Sequence, residues 1–150
     1  MAEKKPQNLQ NHAKVDPPFH YFLAPASLLL FAGAIYYAVQ NGFSGFQGFK
    51  SAEFLLAAVA AIIAVFKIRL YALKVQDRVI RLEERLRLQQ LLSEPLRSRI
   101  GELKEGQLIA LRFASDGEVT PVVEKTLAGN LDSKAIKQLV RSWRADDWRV

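Results

Sequence analysis

The side chains that most often carry catalysis or bind metals are few in this chain. There is no cysteine, and the two histidines, His12 and His20, bracket the proline pair Pro17 and Pro18. With Asp16 they would be a candidate metal site, but the prolines interrupt the helical spacing that would align them. We therefore interpret both histidines as polar residues at a membrane surface.

The C-terminal half contains neither histidine nor cysteine, so it lacks the commonest general base and the commonest metal ligands. Asp146 and Asp147 form a carboxylate pair, but Arg144 and Arg149 flank it, and we interpret this group as a salt-bridged tail. No nucleophile motif and no glycine-rich phosphate loop is present. The sequence predicts that the protein is not an enzyme and uses no cofactor, and it indicates no small-molecule substrate.

Nucleic-acid binding is a second chemistry that basic residues could supply. Residues 121–144 could form a helix-turn-helix whose second helix carries Lys134, Lys137, Arg141 and Arg144. However, residues 93–150 contain ten basic and nine acidic side chains, whereas DNA-binding domains have a marked basic surface. DNA binding is therefore disfavoured. A membrane-tethered regulator whose C-terminal helical domain binds nucleic acid or a signalling ligand remains the alternative function.

The positive charge is concentrated between residues 67 and 92, where seven basic side chains face three acidic ones. Basic residues close to an anionic membrane surface contribute about 1 kcal/mol each to binding. The candidate contacts to anionic lipid headgroups are Lys67, Arg69, Lys74, Arg78 and Arg81.

An apolar stripe lies beside these basic residues. At about 100° per residue, one helix face carries Ile68, Ala72, Val75, Val79, Leu82 and Leu86. Their heptad-like spacing and flanking charges indicate a coiled coil, although the stripe covers fewer than three full heptads. The candidate protein interface is therefore Val75, Val79, Leu82 and Leu86. Either another helix or the chain's own C-terminal domain could cover it.

Two apolar segments would position this surface. Residues 19–39 supply the roughly 20 residues that a membrane span needs, and 52–71 form a second span in which Lys67 and Arg69 reach toward the headgroups. The loop at 40–51 contains three Gly-Phe triplets, which predict a hairpin turn anchored by aromatic residues. No Gly or Pro interrupts residues 54–92, so we expect one helix that begins in the bilayer and ends in water.

The predicted fold is all-α, with a transmembrane hairpin whose second helix continues into a long charged cytoplasmic helix. We expect a mobile or surface-lying polar tail at 1–18, the hairpin at 19–73, a juxtamembrane amphipathic helix at 74–92 and a cytoplasmic helical domain at 93–150.

Capping residues predict the helices of the C-terminal domain. One helix is expected to start at Thr120 and Pro121 and to close at Gly129. Asp132 or Ser133 would cap the last helix, whose inward face carries Ile136, Leu139, Val140 and Trp143.

Orientation follows from the basic residues that flank the spans. Lys4, Lys5 and Lys14 precede the first span, a basic group follows the second, and the loop contains only Lys50. By the positive-inside rule, both termini face the cytoplasm.

Several motifs together resemble a known family. They are Gln7-Asn8, Asn11-His12, Pro18-Phe19-His20, the charged run at 73–87, the segment at 107–116 and Trp143-Arg-Ala-Asp146. The chain resembles, over nearly its whole length, a family of small bacterial two-span membrane proteins, a domain of unknown function. The resemblance implies a bacterial inner-membrane location, and it carries no known activity and no site residues.

The expected function is a non-enzymatic integral membrane scaffold or accessory subunit that presents a cytoplasmic helical interaction surface. The expected partners are anionic lipids together with either a second copy of the chain or a larger membrane protein complex.

Overall fold

The computed structural model describes residues 6–12 and 15–146. Predictions that concern Lys4, Lys5, Lys14, Asp147 and Arg149 lie outside these ranges. Within them the protein is helical, and its only β-type pairing is an isolated bridge between Ala114 and Trp143. The chain divides into two compact units, which we call the hairpin unit (residues 15–73) and the distal unit (residues 6–12 and 74–146).

The hairpin unit contains the first helix, the turn that follows it and the first part of the second helix. A π-helical turn, Pro18–Leu23, leads into α1, Ala24–Asn41, and α2 begins at Gly45. The segments Pro18–Asn41 and Gly45–Leu91 are both long and apolar enough to cross a membrane, by length and composition. Ala34 and Ala38 of α1 are buried, and small residues at this spacing let two helix backbones approach closely. Two edge-to-face ring pairs, Phe19–Phe66 and Tyr37–Phe54, join the helices.

The turn between the helices is shorter than the predicted loop at 40–51. It comprises residues 42–44, because Gly42 and Gly45 adopt positive φ angles of 67° and 60°, which reverse the chain within a few residues. Gly48 then lies against the turn, where a Cβ atom would come within 2.1 Å of the Phe43 carbonyl carbon. The first Gly-Phe triplet therefore forms the turn, and the second and third begin α2 rather than form part of a long loop.

Helix α2 runs without a break from Gly45 to Leu91 and is 47 residues long. The continuous helix that the sequence predicts over 54–92 is thus present, and it starts earlier than expected. Its last residues, from 74 onward, belong to the distal unit.

Short helices complete the distal unit. A 3-10 helix, Arg97–Glu102, is followed by α3 (Glu105–Leu111), α4 (Val119–Gly129) and α5 (Ser133–Leu139). They enclose an apolar core with the end of α2. Fully or almost fully buried members of this core are Leu88, Leu92, Leu103, Leu108, Leu111, Val119, Val123 and Ile136.

The helix ends differ in part from the prediction. Asp132 caps α5 as expected, because its carboxylate accepts a hydrogen bond from the Ala135 backbone amide at 2.7 Å. In contrast, the N-cap of α4 is Glu118, two residues before the predicted Thr120. The left-handed residue that follows the helix is Asn130 rather than Gly129.

The chain leaves α5 before Trp143, so the prediction that Trp143 lies on the last helix is wrong. The segment that follows Leu139 pairs with residues 113–115, which follow α3. The Arg144 backbone amide donates a hydrogen bond to the Phe113 carbonyl at 2.8 Å, and the Ser115 backbone amide donates one to the Ser142 carbonyl at 3.0 Å. This pairing satisfies backbone groups that a helix would otherwise use, and it places Trp143 beside Phe113.

Candidate interaction surface

The apolar stripe predicted on the charged helix is exposed to solvent in the distal unit. The exposed fractions of Val75, Val79, Leu82 and Leu86 are 63%, 47%, 60% and 52%. Four large apolar side chains on one helix face are an uncommon arrangement for a surface in water, and contiguous exposed apolar residues mark contact sites.

A different face of the same helix packs on the distal core. Ile80, Glu84, Leu88 and Leu92 are between 0% and 7% exposed. These residues recur every four positions, so they form a second stripe along α2. The chain's own C-terminal domain therefore occupies that second stripe, and the described residues leave the predicted one uncovered.

The five predicted lipid-contact residues have different surroundings. Arg69 forms an ion pair with Asp16, with 3.1 Å between Nη1 and Oδ2, and its side chain is only 13% exposed. Arg81 pairs with Glu105. Lys67 donates a hydrogen bond to the Tyr71 hydroxyl at 3.2 Å. Two of the five residues thus have carboxylate partners within the chain, a feature that the sequence-based interpretation missed.

Lys74 and Arg78 are exposed on α2. Neither lies within ion-pair distance of a carboxylate in the part of the chain that the structure describes. They are therefore the two members of the predicted basic group that remain most available to an external anionic surface.

A buried carboxylate on the packed face of α2 was also missed. Glu84 is 2% exposed and accepts hydrogen bonds from Arg87 Nη1 at 2.9 and 3.2 Å. Arg87 also donates to Asp116 at 2.8 Å and to the Ala114 carbonyl at 2.7 Å. Burial raises the pKa of Glu84, and Arg87 only partly offsets that effect. This network fixes α2 against the end of α3.

Residues 6–12 make specific contacts within the distal unit, and most of them remain exposed at its surface. The Gln7 side chain donates to the Asp146 carbonyl at 3.3 Å and accepts from the Asp146 amide at 3.0 Å. The His12 ring lies 5.6 Å from Phe113 and 5.7 Å from Trp143, measured between ring centroids. His12 is thus a partly buried member of an aromatic cluster.

Asp146, one member of the C-terminal carboxylate pair, has a partner that the sequence did not predict. Asp146 Oδ2 lies 2.9 Å from Nε of Arg112, whose side chain is 10% exposed. The guanidinium of Arg112 lies over the Phe113 ring at 4.5 Å. Residues from both chain ends and from α3 are therefore held together by one cluster, which a local sequence pattern does not reveal.

A groove of about 360 Å³ borders this network in the distal unit. Its charged lining residues are Glu83, Glu84, Arg87, Arg112, Arg144 and Asp146. Because three carboxylates offset three guanidinium groups, the groove offers no net charge to attract an anionic ligand. The described residues also contain no group of three or more His, Asp or Glu side chains that could hold a metal ion.

Comparison with known proteins places this architecture in one family. No curated protein and no solved structure matches the chain. The sequence model of a family of unknown function, DUF6526, matches residues 1–150. The match covers the hairpin unit, α2 and the distal unit together, and the chain therefore belongs to the DUF6526 family.

Proposed function

We propose that the protein is a non-enzymatic membrane-anchored scaffold or accessory subunit of the bacterial inner membrane, with both termini in the cytoplasm. The observation that carries this proposal is that two faces of α2 have different surroundings. One face packs on the distal core through Leu88 and Leu92, and another presents Val75, Val79, Leu82 and Leu86 to a partner.

The hydrogen bonds between Gln7 and Asp146 support the proposed topology. They favour a topology in which the N-terminal and C-terminal segments share one compartment. A hairpin of two spans, α1 and the apolar part of α2, is consistent with such a topology because it returns the chain to the side from which it started. The excess of basic residues beside the spans favours the cytoplasm as that compartment.

Anionic lipid is the second proposed contact. Lys67, Lys74 and Arg78 follow the apolar part of α2, where long basic side chains can reach the headgroups. This contact would hold the start of the exposed helix near the membrane surface.

The scaffold proposal is tested by cross-linking full-length protein in native membranes. The chain contains no cysteine, so V79C and L86C each introduce one thiol on the apolar stripe. We expect a short thiol-to-amine reagent to join these positions to a protein that mass spectrometry then identifies. K74C, exposed on another face of α2, is the matched control and should give much less product. Absence of any product from both V79C and L86C would contradict the proposal.

A further inference from the structure

The residue spacing of the exposed stripe on α2 indicates what kind of partner could cover it. Spacings of four, three and four place Val79 and Leu86 at the a positions of a heptad and Val75 and Leu82 at the d positions. Aliphatic residues at both a and d positions are the core of a coiled coil. All four side chains are about half exposed or more, so a second helix could cover them without displacing any described part of the chain.

The residues beside the stripe are complementary to a parallel copy of the same helix. In this register Arg78 occupies a g position and Glu83 the following e position. In a parallel coiled coil, g of one helix faces the next e of its partner, so Arg78 would pair with Glu83 of a second copy, twice by symmetry. Neither side chain forms an ion pair among the described residues.

An antiparallel arrangement is disfavoured by the same residues. It would bring g positions together and place Arg78 beside Arg85 of the other helix. Like charges at these positions are destabilising, so charge selects the parallel pair.

Membrane anchoring would also favour the parallel pair, and at this point the inference rests on the proposed function. Two copies inserted with the same topology present α2 in parallel. Confinement to the membrane also raises the effective concentration of the helices, which would compensate for a stripe that is shorter than the three or four heptads of a stable soluble coiled coil.

We propose that the occupant of the stripe is a second copy of this chain, paired in parallel and in register through Val75, Val79, Leu82 and Leu86. Symmetric ion pairs between Arg78 of one copy and Glu83 of the other fix the register. The interface is isologous, so each residue of the stripe faces its own counterpart.

Disulfide formation between single-cysteine variants in membranes tests the pairing of two copies. Full-length V79C and L86C, each oxidised separately, should form dimers of twice the chain mass, because each thiol faces its counterpart. K74C is exposed on α2 outside the stripe and should remain monomeric. Dimers at only one of the two stripe positions, or equally at K74C, would overturn the parallel in-register pair.

The partner in the cross-linking experiment separates this inference from the scaffold proposal. A product that contains a different protein would leave the scaffold intact and overturn self-pairing. The absence of any product would overturn both. A dimer from both V79C and L86C supports both.

Charge reversal tests the register. In the V79C background, R78E and E83R should each lower the yield of disulfide dimer about two- to tenfold, as expected for two exposed ion pairs. The double variant R78E/E83R should restore it, because the opposite charges meet again. R85E is the control, since Arg85 would face the uncharged Gln90 and its reversal should change the yield little. A double variant no better than the single variants would overturn the proposed register.

Discussion

The buried carboxylate of Glu84 shows how one residue shapes the pH response of the protein. Burial disfavours its charged form, and this effect exceeds the attraction of Arg87, so the pKa of Glu84 is higher in the folded state than in the unfolded chain. Above the ordinary pKa of a glutamate, the folded state therefore binds more protons at this site than the unfolded state does.

Stability should consequently fall as pH rises from the ordinary pKa of glutamate through the raised pKa of folded Glu84. E84Q cannot titrate, so we expect it to remove this component and to flatten the curve of unfolding free energy against pH. Urea unfolding of the wild type and of E84Q in detergent, followed by circular dichroism at several acidic pH values, gives the difference in their unfolding free energies. A wild-type curve that rises relative to E84Q over that range would contradict the sign.

Asp146 is the second residue with a large expected effect. Its carboxylate pairs with Arg112, which lies almost wholly inside the distal unit. D146A should lower the free energy of unfolding by about 1–3 kcal/mol, because it removes a carboxylate that compensates the charge of a largely buried guanidinium group. E102A is the control, since the pair between Arg99 and Glu102 is exposed and screened by water. The same urea denaturation assay measures both variants. Equal losses of unfolding free energy in D146A and E102A would contradict the larger role given to Asp146.

At the scale of elements, the turn between α1 and α2 depends on a close backbone approach. Gly48 lies against the Phe43 backbone, so any side chain there would force the turn open. In contrast, Gly33 within α1 has no atom within 4 Å of the position that a Cβ would occupy. The two glycines look equivalent in sequence, and only their neighbours distinguish them.

We expect G48A to lower the thermal stability of the hairpin unit, with a cost of about 1–3 kcal/mol for an atom forced into an occupied space. G33A should be neutral or stabilising, since alanine favours the helix. Thermal unfolding in detergent, followed by helical circular dichroism, compares the two variants. A greater loss for G33A would show that the turn is not the constrained element.

For the whole molecule, the dominant feature is the contact within the distal unit between residues 7–12 and residues 143–146. The His12 ring covers part of Trp143 and Phe113, and Lys137 Nζ lies 3.3 Å from His12 Nε2. Removal of the His12 ring should therefore expose Trp143 to water, although Trp143 is far from His12 in sequence.

Tryptophan fluorescence can measure this exposure. The chain has two tryptophans, so W148F leaves Trp143 as the only emitter. In that background, H12A should shift the emission to longer wavelength. H20A is the matched control, because His20 belongs to the hairpin unit and contacts Phe19. An unchanged spectrum for H12A would contradict the contact between the chain ends.

The sequence predicted those parts of the fold that depend on local or periodic patterns. The uninterrupted helix around residues 54–91 and the Asp132 cap both follow from neighbouring residue types. The end of α5 was misjudged because Trp143 continues the helical spacing past Leu139, whereas the backbone pairs with α3 instead. Periodicity does not indicate where a competing partner ends a helix.

The exposed apolar stripe on α2 also shows what residue spacing alone cannot predict. The spacing of Val75, Val79, Leu82 and Leu86 predicted one apolar face, and their exposure could only be measured in three dimensions. The second stripe was hidden because its members include Glu84, a charged residue that hydropathy places in water. The contacts of Gln7 and His12 have no local signature, since their partners lie more than 100 residues away.

The contact between Gln7 and Asp146 also sets an order of events during biosynthesis. Its two residues are separated by 139 positions, so the contact can form only after residues 7–146 have all been synthesised. The distal unit, which contains both residues, therefore cannot complete its packing while residue 146 is still missing. A chain truncated before residue 143 would leave residues 7–12 without their partners Trp143 and Asp146.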